Sequence, residues 1–194
     1  MTTKEFAIRR RLLAIGLGLP IVAGLHTLGE VQAAPTCGGG NRTRSETEGP
    51  YFKPGSPERQ SLLEAGVAGR RLILTGSVVG TTCRPIARAL LDFWLADAAG
   101  EYDNIGFRLR GHQFTDADGR YKLDSVVPGV YRGRTQHIHV KVAEPGRPTL
   151  TTQLYFPDDP YNKVDPFIHP SLVMGVEKAR ERMLGHFDFV LRNA

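Results

Sequence analysis

Short apolar segments with a period of two residues are the main constraint on what this chain can fold into. In one of them the apolar residues occupy every second position, and these are Ala87, Ala89, Leu91, Phe93 and Leu95. Because successive side chains of a strand point to opposite faces, this spacing predicts a β-strand. The other predicted strands span residues 72–79, 130–131, 137–142, 150–156 and 186–191.

Turn-forming residues separate these segments. The chain of 194 residues contains 22 Gly and 13 Pro, a content that suits a turn-rich β protein better than a helical bundle. The sequence Asp116-Ala117-Asp118-Gly119 predicts a turn between two strands. It also resembles the start of a calcium loop, but no Glu follows at the position of the bidentate ligand. Short strands joined by such turns predict a β-sandwich or barrel.

Two short helical segments are also expected. In the first, Ser56 is the predicted N-cap, Pro57 occupies the first helical position and Gly66 ends the helix. The second spans residues 176–184, where the helical pattern is weak. No linker divides residues 34–194, which we therefore expect to form a single all-β domain with short helices and long loops.

The first 33 residues have the layout of an export signal. Arg9-Arg10-Arg11 precedes the apolar run 12–23, and small residues in Val31-Gln32-Ala33 suit signal cleavage before Ala34. The adjacent arginines resemble a twin-arginine signal. Gly and Pro break the apolar run, so the sequence predicts no stable membrane span in the mature protein. The alternative is a cytoplasmic protein with a basic N-terminus.

The charge and the cysteine content limit which partners and which redox compartment the chain is suited to. The formal net charge is +5, yet no run of Lys and Arg with interleaved aromatic residues follows the N-terminal cluster, so we expect no nucleic-acid partner. The only cysteines are Cys37 and Cys83. In an oxidising compartment they would be able to pair, and two free thiols are the alternative.

The sharpest local feature is His137-Ile138-His139 within a predicted strand. Residues i and i+2 share a face of a strand, so both imidazoles are able to bind one metal ion. A cupin or hydrolase site would use the same pattern, and an exposed pair without a role is a further alternative. Two tyrosines, Tyr102 and Tyr131, precede this strand. Tyrosinate is a hard anionic donor that suits Fe(III) better than Zn²⁺.

Several separate segments together resemble the intradiol ring-cleavage dioxygenases, the family of catechol and protocatechuate dioxygenases. They occur in the family's order between Thr47 and Phe156 and are Pro85–Trp94, Gly100-Glu101-Tyr102-Asp103, Leu109-Arg110-Gly111, Thr115-Asp116 with Gly119 and Tyr121, Pro128-Gly129-Val130-Tyr131, Arg134 with His137-Ile138-His139, and Leu150–Phe156. The resemblance implies a β-sandwich with the metal near one end of the sheets.

The resemblance also implies a non-haem Fe(III) and the residues that hold it. Carried over position by position, the ligands are Tyr102, Tyr131, His137 and His139. It implies that Tyr131 leaves the metal when substrate binds and acts as a base, and that Arg134 stabilises negative charge that develops on the substrate. The implied reaction opens an aromatic diol with O2 to a muconate-type dicarboxylate.

Substrate contacts follow from two further segments. Thr47-Glu48-Gly49-Pro50-Tyr51 is similar to a pocket loop of protocatechuate-type subunits, which implies contacts by Thr47, Pro50 and Tyr51, and Gln153 matches a glutamine on the substrate side. Only five residues separate Tyr131 from His137, whereas this connection is longer in many family members. The resemblance therefore leaves the identity of the diol open. Assembly into a homo-oligomer is left open as well.

Two functions from other classes remain as alternatives. One is an exported β-sandwich that binds ligands or proteins without a metal. The other is a zinc or Fe(II) enzyme of cupin type. Iron content separates the first alternative from the dioxygenase, and replacement of the tyrosines by Phe separates the second.

The export signal makes a direct prediction. Mass spectrometry of the protein recovered from outside the cytoplasm should give the mass of residues 34–194, because signal cleavage removes residues 1–33. An exported protein that retains residues 1–33, or one found only in the cytoplasm, would contradict this expectation.

Overall fold

The computed structural model describes residues 41–192. The predicted export signal and Cys37 lie outside these residues, and Cys83 is disulfide-bonded. Within residues 41–192, nine strands form two sheets: β1 Arg71–Gly80, β2 Leu90–Trp94, β3 Arg110–Phe114, β4 Arg120–Val126, β5 His137–Ala143, β6 Leu150–Tyr155, β7 Gly175–Lys178, β8 Arg182–His186 and β9 Phe189–Leu191. Among the described residues, no helix is long and apolar enough to cross a membrane.

The two sheets have different topologies. One has the order β4-β1-β8-β7, with β9 pairing the end of β1, and the other has the order β3-β2-β5-β6. In the second sheet all pairs are antiparallel, and in the first β1 runs parallel to both β8 and β9. The predicted all-β sandwich is confirmed.

The main core is built by one face of each sheet. On β5, Ile138, Val140 and Val142 are fully buried in this core, together with Leu91 and Phe93 of β2. Because side chains alternate along a strand, the histidines of β5 point away from this core. A second, smaller cluster of Trp94, Ala96 and Tyr102 is buried on that other face.

Three of the predicted elements are wrong. Residues 56–66 form no helix, because the segment pairs its backbone with the sheets, at Glu58 with His112 and at Ser61 with Asp124. The Ser56 hydroxyl does not cap a helix but donates to Asp92 Oδ1 at 2.8 Å. The predicted helix 176–184 is replaced by β7 and β8, and the predicted strand 130–131 is a loop.

The Asp116–Gly119 turn is present but joins different sheets. The Gly119 amide donates to the Asp116 carbonyl at 3.1 Å, and Gly119 has a φ of +73°. Its flanking strands β3 and β4 do not pair with each other, since each lies in its own sheet. The turn is therefore a connection across the sandwich rather than the end of a hairpin.

A segment after β6, residues 157–169, is fixed by two buried carboxylates. Asp159 accepts from the Gln136 amide at 2.8 Å, and Asp165 accepts from the Thr135 amide at 2.9 Å and from Arg134 Nε at 2.7 Å. This segment contains the short 3₁₀ turn Pro160–Lys163, and a second 3₁₀ turn spans Pro170–Leu172. These hydrogen bonds hold the segment against residues 134–136, which lead into β5. We call the contacts of Asp165 with Arg134 and Thr135 the Asp165 clamp.

Close contact between β1 and the β8–β9 connection predicts a large loss of stability when a side chain is added at Gly76. A Cβ atom on Gly76 would lie 1.8 Å from the carbonyl oxygen of Phe187, which also accepts from the Tyr121 hydroxyl. We expect Gly76→Ala to lower the free energy of unfolding by about 3 kcal/mol, measured by urea denaturation. In the control Gly175→Ala, the nearest atom would lie 3.8 Å away, so stability should change little. Equal stabilities of the two variants would contradict this packing.

The Asp165 clamp predicts a pH dependence of stability. Although burial opposes it, the hydrogen bonds from Arg134 and from the Phe167 and Thr135 amides lower the pKa of Asp165 below its usual value. A lowered folded-state pKa stabilises the fold above the unfolded pKa of about 4, and this contribution is lost as the pH falls through the folded value. Asp165→Asn should therefore cost about 3 kcal/mol at pH 7 and less at pH 3, measured by urea unfolding.

A matched control for Asp165 is the exposed pair of Asp158 and Lys178. Their charged atoms lie 3.5 Å apart, and the Asp158 side chain is 76% exposed. Surface pairs of this kind contribute little, so Asp158→Asn should leave the unfolding free energy almost unchanged at both pH values. An Asp165→Asn cost that does not decrease at low pH would exclude the ionised carboxylate as its source.

Candidate metal centre

Strand pairing places three of the candidate side chains on one face of the second sheet. His139 of β5 lies opposite Trp94 of β2 on one side and opposite Gln153 of β6 on the other. Directly opposed residues of adjacent strands share a face, so His137 and His139 point to the same face as Gln153. This is the face turned away from the main core.

Two glycines bring the tyrosine-bearing loops together. A Cβ on Gly100 would lie 2.3 Å from the Val130 carbonyl oxygen, and one on Gly129 would lie 2.5 Å from the Ala98 carbonyl oxygen. Gly100 also has a φ of +87°, which favours glycine. No side chain fits at either position, and the resulting contact between the loops puts Tyr102 beside Tyr131.

Three tyrosine rings form an aromatic cluster over the histidines. Tyr51 stacks on Tyr102 with ring centres 4.7 Å apart, and Tyr131 meets both rings edge-on at 5.3 and 5.4 Å. The hydroxyls of Tyr51 and Tyr131 are hydrogen-bonded to each other. Tyr102 is only 8% exposed, whereas Tyr131 is half-buried at the outer side of the cluster.

The hydrogen bonds of His137 define where its lone pair points. Its Nδ1 lies 2.7 Å from the Thr135 carbonyl oxygen, which only accepts, so Nδ1 carries the proton and Nε2 has the free lone pair. That Nε2 lies 3.1 Å from Nε2 of His139 and 3.2 Å from the Tyr102 hydroxyl oxygen. Three potential ligand atoms therefore converge on one point.

His139 is oriented by packing rather than by hydrogen bonds. Its ring stacks on Trp94 at 4.9 Å with an angle of 8°, and a Cβ on Gly49 would lie 3.4 Å from its Cε1. Its Nδ1 is buried and has no hydrogen-bond partner among residues 41–192. A buried ring nitrogen without a hydrogen-bond partner is costly. The Nε2 atom of the same ring faces Nε2 of His137 at 3.1 Å, where a bound cation would use both lone pairs.

The protonation of the cluster is set by its burial. Burial lowers the pKa of His137 to about 4. Burial also lowers the pKa of His139 well below its usual range, and the neighbouring His137 adds to this effect. Burial raises the pKa of Tyr102, and the hydrogen bond with Tyr51, together with burial, raises that of Tyr131. Near neutral pH the imidazoles are neutral ligands, and only a strongly charged cation would ionise the phenols.

Arg134 is held beside the cluster by two partners. Its Nε donates to Asp165 at 2.7 Å and its Nη2 donates to Gln153 Oε1 at 3.0 Å. The guanidinium stacks on the ring of Phe167, with Cζ 4.5 Å from the ring centre. The cation is thus fixed in position, and its charge reaches Tyr102 and His139.

The predicted substrate contacts take different positions. Tyr51 lies within the aromatic cluster, and Pro50 next to it is exposed. Gln153 is fully buried, and its Nε2 donates to the Thr47 carbonyl at 2.8 Å while its Oε1 accepts from Arg134 and Tyr155. Thr47 and Gln153 thus connect the N-terminal loop to Arg134.

Sequence reasoning missed several residues that position the centre. Thr135 sets the tautomer of His137, and Asp165 fixes Arg134 from 31 residues away. Arg110 is 2% exposed and joins two loops, since its Nη1 donates to the Tyr51 carbonyl and its Nε donates to the Asp103 carbonyl. Thr135 and Asp165 lie at no motif spacing. Arg110 lies within Leu109-Arg110-Gly111, a segment of the family resemblance, but that resemblance gave it no role.

The donor set fits Fe(III) better than a zinc-type site. Within the described part of the chain, no group of three or more His, Cys, Asp or Glu side chains is arranged to hold a metal ion. The convergence instead combines two neutral imidazoles with the phenol of Tyr102, and the phenol of Tyr131 lies beside them. Phenolate oxygens are hard anionic donors, which suit a trivalent iron.

The comparisons with known proteins agree with this geometry. Residues 47–194 match the Dioxygenase family model. The chain is 35% identical over 176 residues to catechol 1,2-dioxygenase 2 of Acinetobacter lwoffii, covering 77% of this chain but 63% of that enzyme. It is 31% identical over 138 residues to the protocatechuate 3,4-dioxygenase beta chain of Burkholderia cepacia, covering 62% of this chain and 57% of that one.

Solved structures give the same result. The dioxygenase domain of a dioxygenase and carbohydrate-binding protein fusion from Streptomyces sp. SirexAA-E superposes with a TM-score of 0.77 at 52% identity, covering 79% of this chain and 100% of that one. The 3-chlorocatechol 1,2-dioxygenase of Rhodococcus opacus 1CP gives 0.72 at 30% identity, covering 78% and 73%. The two-sheet fold, the match of residues 47–194 to the family model and the likeness to a solved chlorocatechol dioxygenase together show that the chain belongs to the intradiol ring-cleavage dioxygenase family.

Proposed function

We propose that this protein uses one non-haem Fe(III) and O2 to open a catechol-type aromatic diol to a muconate-type dicarboxylate. The observation that carries the proposal is the convergence of Tyr102, His137 and His139 on one point, with Tyr131 beside it. We assign all four as iron ligands. The names of the relatives, which are catechol, chlorocatechol and protocatechuate dioxygenases, support an aromatic diol as substrate.

Bound Fe(III) would supply the Lewis-acid and redox chemistry that makes the diol ring reactive towards O2. The protein provides the charge balance around it. Two phenolates and two neutral imidazoles would leave one net positive charge with a trivalent ion. A diol bound as a dianion would therefore keep the site near neutrality only if one of the two phenolates took up a proton. One of the two tyrosines is thus expected to accept a proton from the substrate.

Tyr131 is the tyrosine that we assign to this role. It is more exposed than Tyr102, and its hydroxyl already has an alternative partner in the hydroxyl of Tyr51. A phenolate released from the metal is basic enough to take the proton of a catechol hydroxyl at its Oη. The Tyr51 hydroxyl is then placed to hold the neutral Tyr131 by a hydrogen bond.

Arg134 provides a fixed positive charge beside the ring. Because Asp165 and Gln153 hold two of its nitrogens, the guanidinium needs no reorganisation when negative charge develops on the substrate. Preorganised charges of this kind usually give a large share of catalysis. Tyr51 and Pro50 are proposed to line the substrate side, and Thr47 and Gln153 to position that wall and Arg134.

We also propose that the protein is exported, by the twin-arginine route. The support is the arrangement of Arg9-Arg10-Arg11, the apolar run and the small residues before Ala34. This route carries folded proteins, which suits an enzyme that needs its metal before transport.

The iron assignment predicts a colour and two distinct variant phenotypes. The purified protein should contain one iron per chain and be burgundy, from phenolate-to-Fe(III) charge transfer. His137→Ala should lose most of the iron, whereas Tyr131→Phe should keep iron but lower kcat at least about 100-fold, since the general base is lost. Iron is measured by elemental analysis, and turnover of catechol, protocatechuate and hydroxyquinol by oxygen uptake with product analysis.

A histidine outside the cluster serves as the matched control. His186 is exposed and bonds to Asp188, so His186→Ala should keep the iron content and colour of the parent protein. A colourless protein with stoichiometric zinc and no iron would refute the assignment. Native turnover in both His137→Ala and Tyr131→Phe would place the active site elsewhere.

A further inference from the structure

A cavity of about 900 Å³ lies at the opposite end of β5 from the candidate metal centre. Its wall includes Glu144, which follows His139 by five residues. Because a strand rises about 3.3 Å per residue, the cavity begins about 16 Å from this histidine along the strand. Its volume is within the range of small-molecule sites, and none of the residues that line it belongs to the metal centre.

Four arginines from three separate parts of the chain line this cavity. Arg42 and Arg44 precede the first strand, Arg147 lies in the turn between β5 and β6, and Arg192 follows β9. All four residues are exposed. The fold brings these cations together, since no local run of basic residues joins the three segments. We call this site the arginine cavity.

Carboxylates balance only a part of this charge. Arg44 pairs with Glu46 at 3.0 Å. Within residues 41–192, none of the other three arginines of the cavity forms a salt bridge. Glu144 is the one carboxylate among the lining residues. The cavity therefore has an excess of positive charge, and the repulsion between its cations is relieved when an anion binds.

The segment that carries two of the arginines is fixed by both sheets. The Thr43 amide donates to the Val190 carbonyl at 2.9 Å, and the Val190 amide donates to the Thr43 hydroxyl at 2.8 Å. On the other side, the hydroxyl of the buried Thr152 donates to the Arg44 carbonyl at 2.7 Å. The backbone beneath Arg42 and Arg44 is thus ordered in the absence of a ligand, which lowers the cost of binding one.

The buried part of the cavity lining is apolar. Val190 and Leu191 of β9 are 6% and 7% exposed, and Leu150 of β6 is half-buried. The cavity thus combines an apolar interior with a cationic mouth. An inorganic anion would use only the mouth, and no aromatic residue lines the cavity to stack the bases of a nucleic acid. An organic anion with an apolar body would use both parts.

We propose that the arginine cavity binds an organic dicarboxylate, with its apolar body over Leu150, Val190 and Leu191 and its carboxylates on the guanidinium groups of the mouth. Arginine binds carboxylates through paired, charge-assisted hydrogen bonds. Arginines from three segments provide partners for both ends of one molecule. The site does not depend on the proposed function, although the proposed product, a muconate-type dicarboxylate, belongs to the same chemical class.

Isothermal titration calorimetry of the purified protein with hexanedioate tests this site. The parent protein should bind one hexanedioate per chain. Arg147→Gln should raise the Kd about fivefold, and Arg42→Gln/Arg147→Gln about 20-fold, because each substitution removes a charge-assisted hydrogen-bond donor at a partly solvated site. The matched control Arg180→Gln removes an exposed arginine of the β7–β8 connection, outside the cavity, and should leave the Kd unchanged.

A comparison of anions tests the two parts of the cavity. Hexanoate has one carboxylate, and sulfate has no apolar body, so each should bind the parent protein at least about fivefold more weakly than hexanedioate. Arg147→Gln and Arg180→Gln should both keep the iron content and the turnover of the parent protein, because both residues lie outside the metal centre. The titration needs no turnover, so it gives its result even if the iron assignment fails.

Three results would overturn the proposal. The first is no detectable binding of hexanedioate by the parent protein. The second is the same Kd in the parent protein and in Arg42→Gln/Arg147→Gln, which would place the bound dicarboxylate outside the arginine cavity. The third is sulfate that binds as tightly as hexanedioate, in which case the cavity is a site for inorganic anions and its apolar interior has no part in binding.

Discussion

The close approach of two loops at Gly100 and Gly129 is the constraint on which the candidate centre depends. Side chains at either position would collide with the backbone of the other loop, at 2.3 and 2.5 Å. The histidines are placed by β5 alone, but a strand brings only two ligands to one face. The loop contact adds Tyr102 and Tyr131 from outside the sheet, and with them the anionic donors that distinguish an iron site from a simple histidine pair.

The electrostatic design of the cluster follows from its burial. Burial keeps both imidazoles neutral and raises the pKa of Tyr102, and the hydrogen bond with Tyr51 raises the pKa of Tyr131, so the protein by itself favours four uncharged groups. A trivalent ion reverses this preference for the phenols. Arg134, whose Nε lies 2.7 Å from Asp165 Oδ2, places a fixed positive charge beside the cluster.

The alternation of apolar residues and the order of the motifs predicted the strand framework of this fold. Long-range strand pairing explains why the two predicted helices are wrong. The alternation in 72–79, 137–142 and 150–156 is confirmed by β1, β5 and β6. The segment 56–66 has helix-like end signals, but its backbone bonds to β3 and β4 outweigh them. Likewise, β7 and β8 pair with each other where 176–184 had a weak helical pattern. At both places, backbone pairing with other strands outweighs the local helical propensity, and a single sequence does not reveal these partners.

The same distinction between local patterns and long-range contacts holds at the candidate metal centre. His137 and His139 are predictable because their spacing has a direct geometric meaning, and the tyrosines because they stand in recognisable segments. Asp165 is not, since its contact with Arg134 spans 31 residues without a pattern. The exposure of Tyr161, Val164 and Phe167 is likewise not predictable from the sequence, and only the structure shows it.

Diffraction at the iron absorption edge, from crystals of the protein loaded with Fe(III), locates the bound iron directly. The assignment of the four ligands predicts one anomalous peak within bonding distance of the hydroxyl oxygens of Tyr102 and Tyr131 and of Nε2 of His137 and His139. An iron peak bound by the two histidines without either tyrosine, or one that lies outside this cluster, would contradict it.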